Sequence, residues 1–268
     1  MSKMLSKRII TSIIGVPAVL LCAYLGEVPF LFFILAVVLI SLYEFHNLVL
    51  RYGSQTPLFL VIAGGLIFPL SFYFAPQLGS VFIFVFLIIC YMYHLDHMET
   101  FTPIGLALTF LAVIYISYSF SHLLLLRERD QGFWLVFYVF VAVWGTDTGA
   151  YFIGSKFGKH KMAPVISPNK TWEGFIGGLV TSTLAIWVFL TFVPLKNARL
   201  LILITPLVSL GAQLGDLFES SIKRFAQTKD SGNLLPGHGG VLDRFDSMLW
   251  AAPLTYYLII VLERYLAL

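Results

Sequence analysis

Apolar positions in this chain come in long unbroken runs, not in the half-buried stripes of a water-soluble fold. A helix crossing a bilayer needs about 20 apolar residues. On that rule spans are predicted near 8–26, 29–50, 57–75, 79–95, 103–126, 132–154, 173–193, 199–218 and 247–266. The third and fourth runs are broken by Gly64, Gly65, Pro69 and Pro76. The start, M-S-K-M-L-S-K-R before an apolar run, has the look of a secretory signal. No small-x-small cleavage site follows it, so it reads as a retained first span. The expected architecture is an all-α polytopic membrane protein with about nine transmembrane helices and a cytoplasmic N-terminus. Two long polar stretches, 155–172 and 219–246, interrupt the apolar pattern.

Composition agrees with the runs. Of 268 residues, 59% are hydrophobic and only 12% charged, where a soluble domain carries roughly 25% charged residues. A net charge of +3 is too small to imply a nucleic-acid partner. Cys22 and Cys90 both lie in apolar runs and supply neither a disulfide framework nor a zinc site. The placement of cations says more than their sum. With the N-terminus inside, the inner segments hold Lys3, Lys7, Arg8, Arg51, Lys156, Lys159, Lys161, Lys170, Lys223, Arg224, Lys229 and Arg244, twelve of the seventeen. Some of these can serve a substrate as well as topology. Both polar stretches then face the cytoplasm, where nucleotides are.

Several residues could carry chemistry. Asp147 lies well inside a predicted span, where an ionised carboxylate is costly and is a functional candidate by default; the alternative is a carboxylate satisfied by Thr146, Thr148 or a lysine of another helix. Gly145, Gly149 and Gly154 recur near helical spacing and let a neighbouring helix approach closely. The following loop is rich in lysine, and Lys156, Lys159 and Lys161 fit a basic juxtamembrane role as well as a catalytic one. Its tail, S-P-N-K-T-W-E-G, differs: Ser167, Asn169, Lys170 and Thr171 stand just before a helix start, a setting that suits phosphate.

Gly211 and Gly215 form a G-x-x-x-G pair, a packing signal. Asp216, Glu219 and Lys223 share one helical face at i, i+3 and i+7, as a salt-bridged helix end also would. Asp243 and Asp246, at i and i+3 near the start of the last helix, can share a divalent cation with a third carboxylate from Asp216. Between these helices runs K-D-S-G-N-L-L-P-G-H-G-G, whose glycines, Gly239 and Gly240 among them, permit anion-binding backbone nests. His238 stands there alone; it can be structural, or donate to a phosphate or leaving group, but it is no zinc site. There is no P-loop pattern.

The run from Ser221 to Asp246, S-I-K-R-F-A-Q-T-K-D-S-G-N-L-L-P-G-H-G-G-V-L-D-R-F-D, resembles the signature of the phosphatidate cytidylyltransferases, the CDP-diacylglycerol synthases. Ser221, Lys223, Arg224, Lys229, Asp230, His238, Gly239, Gly240, Asp243, Arg244 and Asp246 meet every fixed position. S-P-N-K-T-W-E-G and D-T-G-A-Y-F-I-G also resemble family segments, so the likeness covers about the C-terminal half of the sequence. The resemblance implies a multi-pass inner-membrane enzyme that joins CTP to phosphatidate, releasing pyrophosphate and making CDP-diacylglycerol. It implies Mg²⁺ held by ligands drawn from Asp216, Asp243 and Asp246 with Asp147 contributing, a second cation in the same cluster, and a homodimer. It places His238 and Lys223 with the three aspartates as catalytic, and assigns phosphate contacts to Ser167, Asn169, Lys170, Thr171, Arg224, Lys229, Asp230, Gly239, Gly240 and Arg244. Residues 1–130 are then a scaffold that faces lipid and mediates dimerisation, and 131–268 the catalytic half. A transporter would show a repeated topology, which the sequence lacks. A CTP-dependent lipid kinase would need a base for a hydroxyl nucleophile and would release CDP.

Overall fold

A computed structural model describes the backbone of residues 3–51, 53–234, 237 and 239–266, and the side chains of 13, 15–51, 53–234, 237 and 239–265. The helices are α1 (Lys3–Leu25), α2 (Glu27–Arg51), α3 (Leu58–Phe74), α4 (Gly79–Asp96), α5 (Pro103–Ala112), α6 (Ser119–Arg127), α7 (Gly132–Phe157), α8 (Trp172–Phe192), α9 (Ala198–Phe225), α10 (Leu242–Phe245) and α11 (Met248–Leu266). A π-helical stretch, Val113–Tyr118, joins α5 to α6, and a short hairpin of β1 (Lys161–Ala163) and β2 (Ser167–Thr171) precedes α8. The fold is all-α and polytopic.

Among the described residues, seven helical stretches are long and apolar enough to cross a membrane: Glu27–Arg51, Pro76–Asp96, Pro103–Arg127, Gly132–Phe157, Trp172–Phe192, Ala198–Phe225 and Leu242–Tyr265. Each coincides with a predicted run. The run at 57–75 forms α3, whose 17 residues reach only about 26 Å at 1.5 Å per residue, short of a hydrocarbon core of about 30 Å. The run at 8–26 lies on α1, and its first side chains fall outside the described residues.

Helix ends differ from the hydropathy limits where polar residues stay helical. α9 continues seven residues past the predicted 218, to Phe225, because Glu219 and Lys223 extend the same face rather than stopping the helix. The hairpin was not expected. It pairs Lys161 with Thr171 and Ala163 with Ser167, antiparallel; Pro164 and Pro168 exclude helix from the segment.

The chain forms two compact units, Met1–Leu125 with Ile222–Phe245, and Leu126–Ser221 with Asp246–Leu268. The signature segment up to Phe245 thus groups with the N-terminal helices. In the first unit α2 buries a stripe of Phe30, Ile34, Val38, Leu42, Phe45 and Val49, recurring every three or four residues as one helix face must. A second core gathers Leu60, Phe68, Phe72, Phe86, Cys90, Phe101 and Val113, where Cys90 packs as a small hydrophobe.

In the second unit α7 lies close against α8. A Cβ at Gly149 would stand 2.5 Å from Thr181 Cβ and 2.8 Å from the Gly177 carbonyl oxygen, and one at Gly145 would stand 3.0 Å from Ser182 Cα. Ser182 Oγ donates to the Ala142 carbonyl across the same seam at 2.8 Å. The small-residue stripe is therefore a helix–helix seam, as its spacing predicts. Gly149→Leu should force the helices apart and destabilise by about 1–3 kcal/mol, the usual cost of overpacking. A lower thermal midpoint in detergent would show it; an unchanged midpoint would mean that the seam relaxes.

Candidate active site

In the second unit the hairpin sets S-P-N-K-T at the entrance to α8. Thr171 is buried and caps that helix, its hydroxyl accepting the Gly174 N–H at 3.1 Å. Two residues on, Glu173 accepts the N–H groups of Lys159 and His160, both at about 3.1–3.2 Å, and pairs with His160 Nδ1 at 2.6 Å. The lysine loop is thus tied back to α8. Ser167 is half-buried and Asn169 exposed. Lys170 reaches α9 and pairs with Asp216 Oδ2 at 2.8 Å, while Asp216 Oδ1 accepts from Ser220 Oγ at 3.3 Å. The two side chains are 25% and 34% exposed, but the Lys170 Nζ itself is shielded from solvent.

The G-x-x-x-G pair of α9 packs on α11. A Cβ at Gly211 would overlap Leu254, and one at Gly215 would stand 2.8 Å from the Asp246 carbonyl oxygen and 3.1 Å from Trp250. Bare Gly215 thereby lets the backbone beside Asp216 approach the backbone of Asp246. The Asp246 carboxylate accepts the Ser247 N–H at 2.6 Å. Asp147 lies on an exposed face of α7 next to buried Thr146, whose hydroxyl donates to Ser209 Oγ at 2.7 Å.

The rest of the signature belongs to the first unit. Lys223, in the last turn of α9, holds Asp243 Oδ1 at 2.7 Å. The pair is dry, with side chains 11% and 3% exposed. Asp243 Oδ2 accepts the Ser231 N–H (2.9 Å), the Ser231 hydroxyl (3.0 Å) and the Gly240 N–H (2.8 Å). Gly239 takes the left-handed backbone that favours glycine, at φ +83°. Arg224 Nη1 donates to the Thr228 carbonyl at 2.9 Å. Arg224, Lys229, Asp230 and Arg244 are exposed, and Glu219 is buried. His238 lies outside the described residues.

One contributor was not anticipated. Glu44 of α2 is buried, and its carboxylate accepts the Val241 N–H on Oε1 and both the Leu242 N–H and the Ser231 hydroxyl on Oε2, each at 2.9 Å. A side chain at Gly240 would overlap Ser231 Oγ and this carboxylate, which is why the position needs glycine. The signal was present in the sequence: Glu44 is a carboxylate inside a predicted span, and the rule applied to Asp147 applies to it equally.

The residues divide in their fitness for a divalent cation. Asp216 and Asp246 bear hard oxygen donors suited to Mg²⁺, and the space left by Gly215 lets α9 approach the backbone of Asp246. Asp216 is engaged on both oxygens, by Lys170 and Ser220, but keeps a side chain 34% exposed; Asp243 is 3% exposed and enclosed by Lys223, Ser231 and Gly240, the setting of a buried structural hub. Among the described residues, no three His, Cys, Asp or Glu side chains form a ready metal cluster.

The sequence pattern of the Cytidylyltransferase family matches residues 6–262. The chain belongs to that family. It is 38% identical over 264 residues to the phosphatidate cytidylyltransferase of Bacillus subtilis (strain 168), covering 95% of this chain and 97% of that one. Against the phosphatidate cytidylyltransferase of Staphylococcus aureus (strain COL) the identity is 38% over 259 residues, 94% of this chain and 98% of the relative. With the Staphylococcus haemolyticus (strain JCSC1435) protein of the same name it rises to 44% over 185 residues, 69% of this chain and 70% of that one. The match extends through the N-terminal helices, where the sequence alone offers only hydropathy.

Proposed function

We propose that this protein transfers the cytidylyl group of CTP to phosphatidate, giving CDP-diacylglycerol and pyrophosphate for phospholipid synthesis. The observation that carries this reading is the near full-length match to relatives named phosphatidate cytidylyltransferase. In the reaction a phosphatidate phosphate oxygen attacks the α-phosphorus of CTP. The bond between the α-phosphorus and its bridging oxygen breaks, and pyrophosphate leaves with the electron pair. The nucleophile is already an anion and needs no strong base. The barrier is charge repulsion and alignment, which fixed cations relieve.

Lys170 is a candidate for the triphosphate: its ammonium is held by Asp216 at the entrance to α8. Arg224, Lys229 and Arg244, exposed on the 219–246 stretch of the first unit, are further candidates for phosphate contact. Mg²⁺, when bound, would neutralise phosphate charge and align the reacting groups; Asp216 and Asp246 would hold it. A lipid substrate needs an apolar wall with a cationic end. The first unit has a groove of about 840 Å³ walled in part by Leu39, Ile40, Tyr43 and Leu50, with Arg51 beside them. The proposal includes an inner-membrane location with both polar stretches cytoplasmic, in keeping with the cation distribution, and a homodimer.

The test is product identity. Purified protein with CTP, phosphatidate and Mg²⁺ should release pyrophosphate in step with CDP-diacylglycerol. Release of CDP instead, with an alcohol lipid as acceptor, would establish a lipid kinase.

A further inference from the structure

The signature loop leaves Ser231 and returns at Gly240–Leu242, and two buried carboxylates close its base. Asp243 binds Ser231 and Gly240 through their N–H groups, and Glu44 binds Val241 and Leu242 through theirs. The Ser231 hydroxyl lies 2.9 Å from Glu44 Oε2 and 3.0 Å from Asp243 Oδ2. A hydroxyl has one proton to donate, so the two carboxylates share it, and Ser231 couples them. Side chains at Gly232 and Gly240 would both strike the Glu44 carboxylate; the loop is shaped around it.

We infer that Glu44 is a positioning residue for cytidylyl transfer: it borders the groove, but its carboxylate is engaged by protein donors, and through Ser231 and the 241–242 backbone it fixes the signature loop relative to the buried Lys223–Asp243 pair. The inference rests on the activity proposed above. A carboxylate is required because all three of its partners are donors. Glutamine has nearly the same shape, yet whichever way its amide turns, its NH₂ faces an N–H of Val241 or Leu242. One buried donor is then left unsatisfied, and the base of the loop opens.

The experiment compares Glu44→Gln, Ser231→Ala and the double variant as full-length protein in detergent, with kcat and the KM for CTP measured per amount of folded protein. Each single variant should lose at least about tenfold in kcat with KM shifted far less, the pattern of lost alignment rather than lost binding. The double variant should be no worse than the worse single, because both changes release the same clamp. A kcat for Glu44→Gln within twofold of the unmodified protein would overturn the inference. So would multiplying losses, or losses that only track the folded fraction. If Glu44→Gln does not fold, Ser231→Ala decides alone: a tenfold loss supports the inference and an unchanged kcat overturns it. Absence of pyrophosphate release by the unmodified protein would instead overturn the proposed activity, a separate outcome read in the same assay.

Discussion

Lys223→Met should destabilise this protein by about 3–5 kcal/mol, because it strips the cation from a buried ion pair and leaves a charge behind. Asp243 would keep the Ser231 and Gly240 donors, but its nearest countercharge, at 2.7 Å, would be gone. Asp243→Asn makes the converse error: it takes from Lys223 the carboxylate held at 2.7 Å, and turns an NH₂ group toward N–H donors that a carboxylate satisfies. Combining the two removes both charges. Replacing a whole buried pair is far less damaging than breaking it, so the double variant should recover much of the thermal midpoint lost by either single. Thermal unfolding in detergent, read beside activity, separates two roles for Lys223. Loss of midpoint with partial recovery in the double variant marks a structural hub. An unchanged midpoint with activity abolished would instead make Lys223 a direct substrate contact.

The membrane architecture was legible because the bilayer imposes a length on apolar runs, and most runs became helices with little shift. Where polar residues entered, hydropathy lost its grip. α9 carries Glu219 and Lys223 on its buried side beyond the predicted end, which no apolar count can anticipate. The hairpin at 161–171 was equally hidden, since its strands are short and largely exposed and carry no apolar alternation to mark them. Within the signature, spacing drew attention to the right residues but not to their separate uses. Asp243 and Asp246 are equivalent by an i, i+3 rule. In space Asp243 is enclosed by Lys223, Ser231 and Gly240, whereas Asp246 stands against α9 at the position cleared by Gly215. Glu44 lies 187 residues from Ser231 in sequence, so nothing near the signature could announce it. Its only trace was a charge in the wrong solvent.

That difference in enclosure leads to the second large effect. Asp246→Asn should reduce kcat at least about a hundredfold, equivalent to roughly 2.7 kcal/mol of transition-state stabilisation, while folding stays near normal. Asparagine keeps the size of the side chain, and its oxygen can still accept the Ser247 N–H, so the start of α11 is preserved. What it removes is the negative charge and one hard oxygen ligand. Asp216→Asn should act in the same direction and should also release Lys170 from its partner, raising the KM for CTP as well as lowering kcat. Asp243→Asn should instead lower the thermal midpoint, because its carboxylate is committed to protein donors. Titrating Mg²⁺ across the three variants gives the discriminating measurement. If Asp216 and Asp246 hold the ion, both substitutions shift the activating Mg²⁺ concentration upward, and Asp243→Asn leaves it in place among molecules that remain folded. Should Asp246→Asn retain both its activity and its Mg²⁺ dependence, the charge of the triphosphate must be met by cations such as Lys170 instead, and Asp246 would serve only to shape the turn into α11.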